Sequence, residues 1–167
     1  MIEIRKTTED DIDRVTEIYA IARQYMRDHG NATQWVGGYP SRELVADAVR
    51  RGVGYVGVDD DGEIVMAFAF IIGDDPTYDV IEDGGWLNDE PYGTIHRLGS
   101  SGKYHGILRR CVDYCFSRIG NLRLDTHADN ATMHAAAAAL GFTRCGTIYC
   151  VDGTPRTAYQ RSINQDI

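Results

Sequence analysis

Thr94-Ile95-His96-Arg97-Leu98-Gly99-Ser100-Ser101-Gly102-Lys103-Tyr104-His105-Gly106-Ile107-Leu108 is the stretch on which the reading of this chain turns. Tyr92 to Leu98 has the composition of a strand, Ser100 to Gly106 is small and flexible, and Ile107, Leu108, Cys111, Val112, Cys115 and Phe116 then recur at helical spacing. A strand that turns through serine and glycine straight into a helix leaves the first amides of that helix without intrahelical acceptors. Such amides, with the helix dipole behind them, attract anions. Gly106 permits close backbone approach and Lys103 adds positive charge. Two readings stay open at this level: a plain turn that starts a helix, or a cradle for a diphosphate. No Gly-x-Gly-x-x-Gly or Walker pattern accompanies it.

Upstream, Ile2 and Ile4 form a short strand and Thr8 caps a helix whose Ile12, Val15, Ile18, Tyr19, Ala22 and Met26 repeat every three or four residues. Ser41 caps a second helix reaching about Arg51, after a turn-rich linker from Asn31 to Pro40. Val53 to Val58 and Ile64 to Ile72 flank Asp59-Asp60-Asp61-Gly62, a strong hairpin signal. Gly73 to Pro91 is long for a connector and is expected to carry function. Downstream come a strand at Leu122 to Thr126, an alanine-rich helix capped by Asn130 or Thr132 and stopped at Gly141, and a closing hairpin around Asp152-Gly153-Thr154-Pro155. This order implies an α+β fold: a mixed, mostly antiparallel sheet flanked by helices on both faces in three α/β/α layers.

The length of 167 residues suits one domain, 1–167, able to bury its own core. A net charge of -8 is opposite to the basic footprint of a nucleic-acid binder, so nucleic acid is not an expected partner. The acidity serves solubility or the attraction of cationic amines. The longest apolar run, Ile64 to Ile72, is far below the roughly 20 residues that span a bilayer, and no export signal is read, so a cytoplasmic protein without membrane contact is expected. Cys111, Cys115, Cys145 and Cys150 are then reduced thiols, and no metal site is expected from their spacing. Asn31-Ala32-Thr33 and Asn130-Ala131-Thr132 match the glycosylation pattern by chance.

A second constellation, Asp125-Thr126-His127-Ala128-Asp129-Asn130, also lies where a strand end meets a helix start, a usual place for ligands. Asp129 and Asn130 are equally ordinary capping residues. Taken together, the strand Thr94 to Leu98, the loop after it, Leu122 to Thr126, Asn130, Leu140-Gly141-Phe142 and the closing hairpin resemble the GNAT superfamily of acyl-CoA-dependent N-acyltransferases. The resemblance spans nearly the whole chain and is sharpest from Tyr92 to Tyr159. It implies acetyl-CoA as acyl donor and a primary amine of a small molecule or peptide as acceptor, joined by direct attack in a ternary complex. It also implies donor contacts at Leu98, Gly99, Ser100, Lys103, Tyr104, His105, Gly106, Ile107, Asn130, Met133 and Ala137, and it admits a homodimer. Lys103 falls at the basic position of the family's phosphate loop and Gly106 at its first glycine, while Leu108 replaces the second small residue.

In that family a main-chain amide, here near Leu98, stabilises the developing oxyanion, and a tyrosine seven residues after the asparagine protonates the departing thiolate. That position is Ala137. His134, on the same helical face as Asn130, is the first substitute and Tyr149 the second, each with a purely structural reading beside it. His96 and His127 are the candidates for deprotonating the amine, with Asp125 a weaker one; His96 is equally a buried, hydrogen-bonded histidine. Trp35, Trp86 and Asp125 are expected at the acceptor, where acid and aromatic groups suit an ammonium. The competing class is a non-catalytic acyl-CoA-binding or interaction module on the same scaffold.

Overall fold

The computed structural model describes residues 1–163. Its elements run β1 (Glu3–Lys6), α1 (Ile12–Asp28), α2 (Arg42–Arg51), β2 (Gly54–Val58), β3 (Ile64–Ile72), β4 (Gly93–Ser100), α3 (Ile107–Phe116), β5 (Asn121–Thr126), α4 (Ala131–Ala139), β6 (Thr143–Tyr149) and β7 (Pro155–Ser162). The strands form a seven-stranded mixed sheet of order β1-β2-β3-β4-β5-β7-β6. This is the α+β class expected from the order of elements. The chain divides into two compact units, Met1–Phe70 with His96–Cys111, and Ile71–Ile95 with Val112–Ile167.

In the first unit β1, β2 and β3 are antiparallel neighbours, Glu3 opposite Val58 and Tyr55 opposite Phe68. The β2–β3 turn is closed by Asp59, whose Oδ1 accepts from the amides of Asp61 (3.0 Å) and Glu63 (2.9 Å). This side-chain capping of a tight turn is why the Asp-Gly segment was legible. Thr8 and Asp11 make a reciprocal capping box ahead of α1, and Ser41 Oγ accepts from the Leu44 amide to start α2. Val15, Ile18 and Tyr19 of α1 bury their stripe with Val45, Val56, Ile64, Ala67 and Trp35. Trp35 is 5% exposed and meets Tyr19 edge-on at 5.5 Å. Burying aromatics of this size dominates the energy of a small core.

In the second unit β5 and β7 pair antiparallel along their length, and β6 pairs with β7 through a shift between Arg144 and Gly146. β4 runs parallel to β5, with Gly93 opposite Leu122 and Thr94 opposite Arg123. The Gly73 to Pro91 segment is not loose. Glu82 and Thr147 exchange main-chain hydrogen bonds at 2.9 and 2.8 Å, and the Gly85 amide donates to Cys145 O at 2.8 Å. A Cβ on Gly84 would lie 2.0 Å from Cys145 O, so only glycine lets this loop dock on the bulged strand. Tyr78, Tyr92, Ile148 and Ala158 form the core beneath it, with Trp86 packed alongside.

Arg123, also in this unit, is buried between the rings of Trp86 (4.1 Å) and Tyr92 (3.9 Å), with Nη2 donating to Asn88 O at 2.9 Å. Burial lowers the affinity of that guanidinium for its proton, and the two ring faces offset part of the lost hydration. Trp86 donates its indole N–H to Tyr78 O at 2.9 Å.

Candidate functional site

The loop between β4 and α3 belongs to the first unit. Ser100 Oγ accepts from the Gly102 amide (3.1 Å) and Ser101 Oγ from the Lys103 amide (3.3 Å), so serine hydroxyls shape the turn. The Ser101 amide donates to Val65 O on β3 at 3.0 Å. Residues Gly102 to Gly106 are exposed, and Gly106 lies at φ +74, where the chain bends into α3. The first helical bond runs from the Arg110 amide to Gly106 O (3.2 Å), leaving the amides of Ile107, Leu108 and Arg109 before it without an intrahelical acceptor. These amides at the positive end of the α3 dipole fit a diphosphate in charge and in donor chemistry. The helix begins at Ile107, directly after the Gly106 bend.

Lys103 is engaged elsewhere. Its Nζ lies 2.8 Å from Asp59 Oδ2, 2.7 Å from Glu63 Oε2 and 4.0 Å from Asp61 Oδ2. Tyr104 OH donates to the same Asp59 oxygen at 3.0 Å. Held first by Lys103 and then by its own turn amides, the Asp59 carboxyl stays well below the usual aspartate range, and Asp59 with Glu63 raises the Lys103 ammonium above its own. The lysine's charge is therefore already balanced by carboxylates of the first unit. His105 is exposed and Ile107 buried.

His96, Arg97 and Leu98 are half-buried. Arg97 adopts φ 53, a left-handed value that a non-glycine residue in a strand seldom takes. Gly99 is buried where Tyr19 and Ala22 of α1 approach, since a Cβ there would stand 2.9 Å from the Tyr19 ring. Trp35, expected at the acceptor, lies in the core of this unit.

The second unit holds the remaining expected residues. Asn130 caps α4, its Oδ1 accepting from the Met133 amide (3.1 Å) and its Nδ2 donating to Thr126 Oγ1 (2.9 Å). His127 Nδ1 accepts from the Asp129 amide at 3.0 Å. Asp125 Oδ2 accepts from Tyr78 OH at 2.6 Å, and burial first, then Asp125, pushes the Tyr78 phenol well above its usual range. Tyr149 is exposed and donates to Glu82 Oε2 at 2.9 Å, a carboxylate contact that raises its phenol. Trp86 is spent on Tyr78 and Arg123. Ala137 is fully buried on α4.

His134 makes the contact that sequence reasoning did not foresee. Its Nδ1 is 2.5 Å from Tyr159 OH and its Nε2 3.1 Å from His127 O. A carbonyl can only accept, so Nε2 carries the hydrogen, and in the neutral ring Nδ1 accepts from the Tyr159 hydroxyl. Burial raises the Tyr159 phenol, and Arg144 draws it partly back. Tyr159 is the neighbour of Leu124 in the β5–β7 register, a pairing that no local pattern announces. Asp59 was legible as a turn residue but not as the partner of Lys103.

No family model matches the chain, and no curated protein does. Solved structures do. A GNAT-family acetyltransferase from Streptococcus agalactiae is 31% identical with a TM-score of 0.81, and the alignment covers 96% of this chain and 95% of that one. A GNAT-family acetyltransferase from Listeria monocytogenes shares the fold at 18% identity and a TM-score of 0.72, with 97% and 95% covered. The aminoglycoside acetyltransferase AAC(6')-Ib, in complex with coenzyme A and kanamycin, shares it at 17% identity and a TM-score of 0.65, with 98% and 96% covered.

Proposed function

The chain belongs to the GNAT family of acetyltransferases, and from that premise we propose that residues 1–167 work as one cytoplasmic domain that transfers the acetyl group of acetyl-CoA to a primary amine of a small molecule or peptide. The observation that carries the reading is the loop from Ser100 to Gly106, exposed from Gly102 onward and opening into the first amides of α3, which have no intrahelical acceptor. AAC(6')-Ib, which shares the fold, is found with coenzyme A and an amine-bearing ligand, in keeping with this choice of donor and acceptor.

The donor thioester supplies an acetyl group already activated for attack. The amides of Ile107, Leu108 and Arg109 hold the diphosphate charge, and His96 or His127 takes the proton of the acceptor ammonium. With alanine at 137, Tyr159 is the acid. When His134 carries a proton on each nitrogen, Nδ1–H donates to the Tyr159 oxygen and frees the phenolic hydrogen for the departing sulfur. The phenol gives up that hydrogen, takes the Nδ1 hydrogen, and leaves His134 neutral, still donating from Nε2 to His127 O. An ordinary thiol has a pKa near 8.5, so this acid assists a leaving group that is only moderately poor.

The test is thermal unfolding with saturating acetyl-CoA against ATP and NAD, followed by thiol release on adding a panel of amines. A ligand at 100 times its Kd adds about 2.7 kcal/mol, worth several degrees at this size. A shift specific to acetyl-CoA with amine-dependent thiol release supports the reading. A shift with no release for any amine would make the chain an acyl-CoA-binding module, and no shift would remove the donor.

A further inference from the structure

We propose that Asp59, in the β2–β3 turn, is a positioning residue for the donor loop: through Lys103 and Tyr104 it fixes the main chain whose amides hold the diphosphate, and Lys103 serves in that staple rather than as a phosphate ligand. The inference rests on the acetyl-CoA reading above. Asp59, Lys103, Tyr104 and the amides of Ile107 to Arg109 all lie within the first unit.

Asp59 has only 1% of its side chain exposed, yet four donors converge on it. Oδ1 takes the amides of Asp61 and Glu63, which shape the turn, and Oδ2 takes Lys103 Nζ and Tyr104 OH, which come from the donor loop. One carboxylate thus spans a hairpin and a loop 44 positions away. The Ser101 amide bonds to Val65 O just beyond the same hairpin, and Glu63 adds a second carboxylate to Lys103 while its other oxygen binds Arg14 Nη2 at 3.2 Å. Ser101, Lys103 and Tyr104 are therefore fixed to β3 and its turn, a few residues before the first amides of α3.

Two roles for Lys103 compete, and the energetics separate them. Swinging the ammonium to a solvated phosphate exchanges one ion pair for another near the surface, where such pairs contribute little. The same swing leaves Asp59 buried without its counter-charge, which is far more costly. The ammonium accordingly stays on Asp59, and main-chain amides bind the phosphates.

The experiment compares the unaltered chain with Asp59→Asn, Lys103→Met, the double variant and Lys103→Arg. Amide hydrogen exchange over 102–106 is followed without ligand, and acetyl-CoA binding is titrated across a range of salt. The staple predicts faster loop exchange in Asp59→Asn and in Lys103→Met. It also predicts about tenfold weaker acetyl-CoA binding in each, the loss of about one hydrogen-bonded charge pair. The double variant should be no weaker than either single one, Lys103→Arg should restore binding, and the salt dependence should keep its slope. KM for acetyl-CoA should rise in step while KM for the amine stays put. Lys103→Met leaves the Asp59 turn bonds intact, so it carries the test if Asp59→Asn unfolds.

Unchanged exchange in Lys103→Met overturns the staple. Tighter acetyl-CoA binding in Asp59→Asn, with a weaker and less salt-sensitive Lys103→Met, makes Lys103 a phosphate ligand and overturns the inference alone. Absence of binding to the unaltered chain overturns the donor reading, and the exchange measurement still decides whether the staple exists.

Discussion

Tyr159→Phe removes one oxygen, the one 2.5 Å from His134 Nδ1, and leaves the ring in place. Tyr159 is buried while His134 is half-buried, so water can reach the histidine nitrogen that loses its partner. The stability cost is that of one neutral hydrogen bond, about 1 kcal/mol, or roughly 2–4 °C in Tm for a domain of this size. The catalytic cost is of another order. A positioned acid contributes about 10²–10⁴ in rate, and a thiol leaving group places this case toward the low end, so kcat is expected to fall about a hundredfold. His134→Ala should cost a similar factor by removing the group that frees the phenolic hydrogen. The proposed relay makes the two act as a unit, so it predicts a double variant no slower than the slower single one. The assay is thiol release at saturating acetyl-CoA and amine, with calorimetry on the same samples. A Tyr159→Phe enzyme within threefold of the unaltered rate would refute the acid assignment. Additive losses in the double variant would refute the relay while leaving the tyrosine.

Two further outcomes concern the scaffold. Gly99→Ala places a Cβ 2.9 Å from Tyr19 Cδ1 and 3.4 Å from Ala22 Cβ, with Tyr19 pinned against Trp35; overpacking of this kind costs about 1–3 kcal/mol, and an unchanged Tm would show that α1 yields freely. Asp11 accepts from both Arg5 nitrogens (2.7 and 3.1 Å) and from the Thr8 amide and hydroxyl, and Arg5 foremost lowers its carboxyl. A depressed carboxyl contributes stability that is complete above the unfolded aspartate value, about 3.9, and that is lost as pH falls through the lower folded value. Asp11→Asn should therefore cost about 1–2 kcal/mol at pH 7 in urea unfolding, with the gap closing below about pH 4; a gap that stays constant with pH would contradict this.

The elements were legible because each is signalled by residues a few positions apart. Ser41 caps its helix by bonding to Leu44, Asn130 by bonding to Met133, and Asp59 closes its turn on Asp61 and Glu63. Apolar spacing along α1 predicted the stripe that is buried, and the glycine-bearing loop after Leu98 predicted the turn into α3. The same locality says nothing of where the aromatics pack. Trp35 and Trp86 look like binding residues in loop sequence, yet apolar area drives Trp35 into the core and packs Trp86 over Tyr78 and Arg123.

What the sequence by itself determined is the order of strands and helices, their caps, and the loop whose amides suit a diphosphate. Those depend on hydrogen bonds and side-chain periodicity within one or two turns of chain. The tertiary structure alone decided that Lys103 meets Asp59 across 44 positions and that Tyr159 meets His134 across 25. Such pairs follow from strand register and from where a hairpin lies against a loop, and a chain of side-chain types carries no local record of either.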